Sequence, residues 1–139
     1  MNLSKSCKFT KVADHSSAAT SAINSASVDM LGYDGVIFIT SFGTAASNNT
    51  INAAQCDDDS TFLDLEGSSV TSGSSDEDVF VEVYRPKDRY VRCEVARGTS
   101  STCESIWAIQ YGARKQPVDN TTTGTIAGEL HVTPDEGTA

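Results

Sequence analysis

Residues 79–96 read VFVEVYRPKDRYVRCEVA, and this stretch decides the fold class. Every second residue in each half is apolar: Val79, Val81 and Val83 in the first half, and Val91, Cys93 and Val95 in the second. A period of two places successive side chains on opposite faces of a β-strand, with one face buried. The segment between the halves, residues 85–88, contains Pro86 and is typical of a turn. The stretch therefore predicts two strands joined as a β-hairpin.

Short apolar runs continue on both sides of this stretch. Residues 35–40 (GVIFIT) predict a central strand buried on both faces, and residues 22–30 predict a strand with one buried face, broken at Asn24. Residues 16–25 are the one helix candidate. The remaining predicted strands are residues 8–12, 51–56, 61–65, 106–111 and 126–132, with a further weak strand near Val70.

These short strands, about eight or nine in number and separated by polar turns, predict an all-β antiparallel fold, which is a β-sandwich, a jelly roll or a barrel. A length of 139 residues fits a single domain. We expect that domain to span residues 1–139, with flexible tails at residues 1–6 and 133–139.

The charge of the chain limits its partners. The formal net charge is −9, and nucleic acid is an unfavourable partner because Lys and Arg must displace counterions from the phosphates. No stretch approaches the roughly 20 apolar residues that span a bilayer, so we expect no membrane partner. Residues 1–11 carry three lysines but no apolar run behind them, which predicts a chain without a signal peptide, made in a reducing cytoplasm.

The sequence contains no recognisable catalytic or nucleotide-binding motif, so we expect no enzyme and no cofactor. His15 and His131 lie in polar surroundings without a nucleophile at a recognisable spacing, although a histidine can serve as a general base. Residues 57–59 and 76–78 are acidic clusters that could bind Ca²⁺, but neither matches the spacing of a calcium loop. We therefore expect solvated loop acids and no metal.

Four cysteines, Cys7, Cys56, Cys93 and Cys103, lack the C-x-x-C spacing of zinc sites. In a reducing compartment we expect four free thiols, mostly buried. The alternative is a disulfide between Cys93 and Cys103 across a hairpin.

Basic residues cluster where the predicted hairpin lies. Five of the ten Lys and Arg residues fall within residues 85–97. Because Arg and Tyr are enriched at protein interfaces, we predict an interface there. Its candidate residues are Tyr84, Arg85, Lys87, Arg89, Tyr90 and Arg92. The alternative is a solvated strand face whose charges pair within the chain.

An aromatic pair supports a different function. Trp107 and Tyr111 could form a stacking platform for carbohydrate or for a host surface. The alternative for Trp107 is core packing, which we expect because the residue lies inside an apolar strand.

Several segments resemble a family of small structural head proteins of tailed bacteriophages. The resembling segments are residues 28–36 (VDMLGYDGV), 81–86 (VEVYRP) with 89–92 (RYVR), 108–112 (AIQYG), and the ending 128–132 (GELHV) through 137–139 (GTA). The likeness runs from about Phe9 to the C-terminus. The chain departs from many members of the family in its four cysteines and its longer Ser/Asp loops, so no role is carried over to those positions.

The resemblance implies a virion structural protein, a capsid decoration (cement) protein on the capsid exterior, made in the host bacterial cytoplasm. The implied partners are the major capsid protein and further copies of the chain, as a homotrimer or, alternatively, a homodimer. Two other functions stay open. They are another virion role, as a head–tail connector or tail protein, and carbohydrate or host-surface binding.

Overall fold

Two antiparallel β-sheets pack face to face in the computed structural model of the chain, which describes residues 1–44 and 48–138. The strands are β1 (Lys8–Ala13), β2 (Ser16–Ala19), β3 (Ile23–Asn24), β4 (Val28–Asp29), β5 (Gly35–Phe42), β6 (Asn49–Cys56), β7 (Leu63–Asp64), β8 (Val70–Ser72), β9 (Glu77–Tyr84), β10 (Tyr90–Ala96), β11 (Ser101–Cys103) and β12 (Ile106–Tyr111). A single helical turn, α1 (Leu3–Ser6), precedes them.

Sheet 1 has the strand order β1-β12-β5-β9. Sheet 2 has the order β3-β10-β6-β7, with β4 also on β10 and β8 also on β6. Strands β2 and β11 form a separate two-stranded ribbon. All of these pairings are antiparallel, which confirms the predicted all-β antiparallel sandwich. Neither sheet closes on itself, so the fold is not a closed barrel.

The predicted hairpin at residues 79–96 is wrong. Strand β9 pairs with β5 in sheet 1, whereas β10 pairs with β6 in sheet 2, so the segment between them crosses from one sheet to the other. We call this segment, residues 85–89, the arch. A period of two fixes which side chains point inward but not which strand lies alongside. Here the apolar sides of β9 and β10 face each other across the core, and each side shields the other from water.

The predicted helix at residues 16–25 is also wrong, since this segment forms β2 and β3. The Arg97 guanidinium explains part of the difference. It donates hydrogen bonds to the carbonyl oxygens of Ser17 (2.8 Å), Ser21 (2.8 Å) and Ser101 (3.1 Å). In a helix, the Ser17 carbonyl would accept from the backbone instead. The Arg97 contacts therefore favour an extended chain.

Two other predicted strands differ in detail. Residues 22–30 form two short strands, and between them the Ser25 hydroxyl accepts a hydrogen bond from the Cys93 backbone N–H at 3.0 Å. Residues 126–132 form no strand, and Thr122 makes an isolated bridge with Ile126. The twelve observed strands exceed the predicted eight or nine because several contain only two or three residues.

Asn120 blocks the free edge of β1. Its side-chain carbonyl accepts from the Phe9 backbone N–H at 2.7 Å, and its amide donates to the carbonyls of Ser4 (2.8 Å) and Cys7 (2.9 Å). Edge strands that keep free backbone groups pair readily with other chains, and covering them prevents it. The Asn120 side chain therefore holds this part of the chain against the edge of sheet 1. The last residue of the predicted C-terminal tail, Ala139, lies outside the described residues.

The core lies between the sheets. Its largest fully buried side chains include Phe38 and Phe42 from sheet 1 and Ile51 and Val91 from sheet 2. All four cysteines are buried free thiols, as predicted, without the alternative disulfide. Burial raises the pKa of Cys93 to about 12, so this thiol stays protonated at physiological pH. In the described ranges, no helix has the length and apolar character needed to cross a membrane.

Candidate interaction surfaces

The outer face of sheet 1 is apolar. Strand registry places directly paired residues on the same side of a sheet, and two such rows cross sheet 1. The rows are Phe9, Ile109, Ile37 and Glu82, and next to it Lys11, Trp107, Ile39 and Phe80. We call the six apolar members, Phe9, Ile37, Ile39, Phe80, Trp107 and Ile109, the apolar face. Exposure reaches 38% at Ile39 and 58% at Phe80, so water contacts large hydrophobic side chains here.

Tyr111 closes one end of the apolar face. It pairs with Gly35, which pairs in turn with Tyr84, itself 60% exposed. The Tyr111 ring lies directly over Gly35, where a Cβ atom would overlap it. Its hydroxyl donates a hydrogen bond to the Glu82 carboxylate. Burial, then the hydrogen bond to Glu82 and then the Glu82 charge raise the pKa of Tyr111, because each favours the neutral phenol over the phenolate.

Trp107 does not lie in the core, contrary to the prediction. Its neighbours Ile106 and Ala108 point inward and are fully buried, so Trp107 points outward and is half-buried. The strand's period of two explains this, because an apolar strand in this sheet presents apolar groups to both sides. Tyr111 is on the same face, but Ile109 lies between it and Trp107.

A groove of about 490 Å³ continues the apolar face toward the N-terminus. Leu3 and Met1, which are exposed, line it together with Ile37, Ile109 and Tyr111. The helical turn α1 therefore extends the exposed apolar surface beyond the sheet.

The outer face of sheet 2 has the opposite character. Its side chains are Asn52, Asp64, Tyr90, Arg92 and Glu94, which we call the polar face. Arg92 donates hydrogen bonds to the Glu94 carboxylate at 2.8 and 2.5 Å, and Asn52 donates to Asp64 at 2.9 Å.

Arg92 of the polar face also contacts a neighbouring aromatic ring, that of Phe62. The Arg92 guanidinium lies 4.1 Å from the centroid of the Phe62 ring, within the range of a cation–π contact. Arg92 and Glu94 of the polar face therefore pair with each other. For Arg92, this agrees with the alternative of a strand face whose charges pair within the chain.

The arch lies between the two faces. Arg89 forms a bidentate ion pair with Asp29, at 3.0 and 2.7 Å, and the hydrogen bond from Arg89 lowers the pKa of Asp29. Arg85 and Lys87 are exposed and form no ion pair with any described residue. Arg85 adopts a positive φ of 51° and its guanidinium lies 5.1 Å from the Tyr84 ring centroid. A cleft of about 480 Å³ opens beside these side chains.

The structure separates the six predicted interface residues. Tyr84 lies on the outer side of sheet 1, and Tyr90 and Arg92 belong to the polar face. The other three, Arg85, Lys87 and Arg89, lie on the arch. The six do not form one flat surface, because the predicted hairpin does not exist, and their role in an interface stays a prediction.

The acidic clusters accept hydrogen bonds from backbone N–H and hydroxyl groups of the chain. Asp58 accepts backbone N–H groups of Ser60 (3.1 Å) and Thr61 (3.0 Å), which lowers its pKa to about 2. Glu77 accepts from Ser72 and Gly73, each at 3.0 Å. Across residues 1–44 and 48–138, no group of three or more His, Cys, Asp or Glu side chains is arranged to bind a metal ion.

The two histidines have carboxylate neighbours that spacing did not predict. His15 lies 3.1 Å from Glu104, and His131 lies 3.1 Å from Glu129. Both histidine side chains are more than half exposed, so these are surface pairs of small energetic weight.

The apolar face was missed at the sequence level. Residues 35–40 were predicted to be buried on both faces, and the inward side chains Val36 and Phe38 are indeed buried. Of the outward side chains, Ile39 is exposed, and Ile37 is half-buried beside Met1 and Leu3 of the N-terminal segment. A strand that is apolar on both sides, in an otherwise one-sided antiparallel sheet, was the available signal.

The chain matches no family model and no curated protein. Its fold is similar to the crystal structure of the PBSX exported protein XepA, with a TM-score of 0.60 and 17% sequence identity. The likeness covers 94% of this chain but 45% of that one, so the chain spans less than half the length of its structural neighbour. At this low sequence identity, the likeness concerns the fold alone.

Proposed function

We propose that this protein is a structural component of a tailed-bacteriophage virion, a capsid decoration protein that binds the outside of the shell and stabilises it. The observation that carries the proposal is the apolar face. A small sandwich that leaves Ile39 and Phe80 in water has a surface suited to a protein partner.

Two likenesses support the phage context. The head-protein segments in the sequence imply a virion protein, and the structural neighbour is an exported protein of phage PBSX. The proposed partners are the major capsid protein and further copies of the chain, as a homotrimer or a homodimer. The proposed location is the capsid exterior.

The physical logic favours a small, rigid sandwich. Packaged DNA presses outward on a mature shell, and many weak contacts repeated around the shell resist that pressure together. Multivalent attachment multiplies weak contacts without strengthening any one of them. The satisfied polar face suits the side that stays in solvent.

Copy number in purified particles tests the proposal. A quantified gel of virions is expected to show a copy number in the hundreds, as repeated shell positions require. About a dozen copies or fewer would instead indicate a connector or tail component. Shells stripped of the protein are then mixed with purified chain, and failure of the chain to rebind would refute the decoration role.

The outward position of Trp107 favours a second candidate, carbohydrate or host-surface binding. Trp107→Ala should then abolish binding to glycans or cells while the circular dichroism spectrum stays unchanged. Phe80→Ala, on the edge strand of the same face, is the matched control. Equal losses from both substitutions would indicate general stickiness of the face and count against a sugar site.

A further inference from the structure

The structure assigns the apolar face a specific partner: we infer that it packs against the same face of a second copy, around a two-fold axis parallel to the strands. The inference rests on the self-association within the proposed function and names the surface and symmetry that produce it. It concerns the purified chain, without particles. The contact with the capsid would then involve surfaces outside the apolar face.

The shape of the face fits sheet-on-sheet packing. Three neighbouring strands contribute Trp107, Ile39 and Phe80, which stand side by side on one surface of sheet 1. In a β-sandwich, two such sheets pack about 10 Å apart with nearly aligned strands. A second copy of sheet 1 is expected to cover the first in the same way.

The size of the face sets the strength of the pair. The two rows of the apolar face and the neighbouring row of Tyr111 and Tyr84, on four strands about 4.8 Å apart, give an area of roughly 400 Å². Two copies would bury on the order of 800 Å², below the about 1,200 Å² of the smallest stable interfaces. The expected dimer is therefore weak and reversible.

Charge at the two edges selects the two-fold axis. Lys11 projects from β1 at one edge, and Asp78 and Glu82 project from β9 at the other, flanking Phe80. An axis parallel to the strands lays β1 of each copy over β9 of its partner, so opposite charges meet. An axis across the strands, through the row of Lys11 and Phe80, would instead lay β1 on β1 and β9 on β9. Lys11 would then face Lys11, and Glu82 would face Asp78, which is unfavourable.

Existing contacts of these charges leave them available. Lys11 contacts Asp14 at 2.6 Å, but the Asp14 side chain is 82% exposed and such pairs are weak in water. Glu82 accepts one hydrogen bond, from Tyr111, and a carboxylate has room for further donors. Arg85 and Lys87 lie on the arch, outside the rows of the face.

Sedimentation equilibrium of the purified chain tests the inference. The chain is expected to dimerise, and Ile39→Lys, at the centre of the face, should raise the Kd at least about 100-fold because each dimer loses two contacts. Phe80→Ser, at an exposed edge-strand position, should raise it about tenfold. The matched control is Ala96→Lys, an exposed position at the end of β10 in sheet 2, which should leave the Kd unchanged.

A charge exchange tests the axis. Lys11→Glu and Glu82→Lys should each raise the Kd about fivefold, and the double variant should restore it to within about twofold. Within one chain these side chains are about 14 Å apart across the sheet, beyond the screening length of about 8 Å. Rescue would therefore arise between copies.

Several results would overturn the inference: a monomer at millimolar concentration, a trimer, a folded Ile39→Lys variant that still dimerises, or a double variant without rescue. If Ile39→Lys fails to fold by circular dichroism, Phe80→Ser decides instead. Particles that contain hundreds of copies of a chain that is monomeric in solution would overturn this pairing alone. A dimer that never enters particles would overturn the proposed function alone.

Discussion

The outer faces of the two sheets differ although both sheets contribute to one core. Outward side chains of sheet 1 include Ile37, Ile39 and Phe80, whereas those of sheet 2 include Arg92 and Glu94, which pair with each other. Inward positions are alike because both sheets cover the same core. The difference lies in the outward positions: sheet 1 leaves apolar side chains exposed, whereas charged groups of sheet 2 pair within the chain.

The largest expected effect compares a buried with an outward phenylalanine of sheet 1. Phe38 is fully buried, and Phe80, which pairs with Ile39 on the next strand, is 58% exposed. Phe38→Ala should lower the free energy of unfolding by about 3–5 kcal/mol, because it removes buried surface and leaves a cavity. Phe80→Ala should lower it by less than about 1 kcal/mol in the monomer.

Urea denaturation at low protein concentration measures both values, since dilution suppresses any dimer. Equal costs at the two positions would mean that Phe80 is packed within the monomer, and the contrast between the faces would then fail.

A second comparison uses Gly35, in β5 of sheet 1, and Gly73, which follows β8 of sheet 2. Gly35→Ala places a methyl group into the Tyr111 ring, which must move and lose its hydrogen bond to Glu82. We expect a loss of about 1–3 kcal/mol, typical of overpacking. Gly73, beside β8 of sheet 2, has open space around it and no positive φ. Gly73→Ala should be neutral or stabilise the fold by about 0.5 kcal/mol.

Tyrosine titration sharpens this result. The pKa of Tyr111 is raised by burial and by Glu82, so a displaced ring should titrate closer to its ordinary value in the Gly35→Ala variant. An unchanged titration together with unchanged stability would show that the ring does not lie over Gly35.

The sequence predicted strands well and their partners poorly. The alternation in residues 79–96 marked β9 and β10 correctly, because the period of a strand is a local property. It could not show that the strands belong to different sheets, because the same alternation buries Val81 and Val91 in a hairpin or in a sandwich. Sheet membership depends on which distant strands, β5 and β6, take the neighbouring positions.

For the candidate surfaces as well, the sequence predicted local features but not contacts between distant segments. The basic cluster was visible as composition, but its pairing with acids depended on contacts distant in sequence, such as Asp29 with Arg89. Trp107 was assigned to the core by its apolar neighbours, although counting by twos from the buried Ile106 places it outside. The apolar face emerged only when the rows of four strands were aligned, which no local window contains.

The smallest expected effect tests whether the charges of sheet 2 serve the chain's own stability. Asp29 in β4 pairs with Arg89, and both side chains are nearly half exposed, so the pair contributes no more than about 1 kcal/mol. Asp29→Asn keeps the acceptor for the Leu31 backbone N–H, at 3.0 Å, and removes only the charge. The variant should therefore lose up to about 1 kcal/mol at neutral pH.

The loss should disappear in acid. The folded pKa of Asp29 lies below its ordinary value of 3.8, so the ion pair stabilises the fold above that value and its contribution vanishes as the pH falls through the folded pKa. Urea denaturation of wild type and Asp29→Asn from neutral pH to below this window should give converging stabilities. Asp135→Asn, in the exposed C-terminal segment, is the control and should show no pH-dependent difference. A constant difference in the free energy of unfolding between wild type and Asp29→Asn across the whole pH range would mean that the carboxylate acts through its shape rather than its charge. The ion pair of Asp29 with Arg89 would then not stabilise sheet 2.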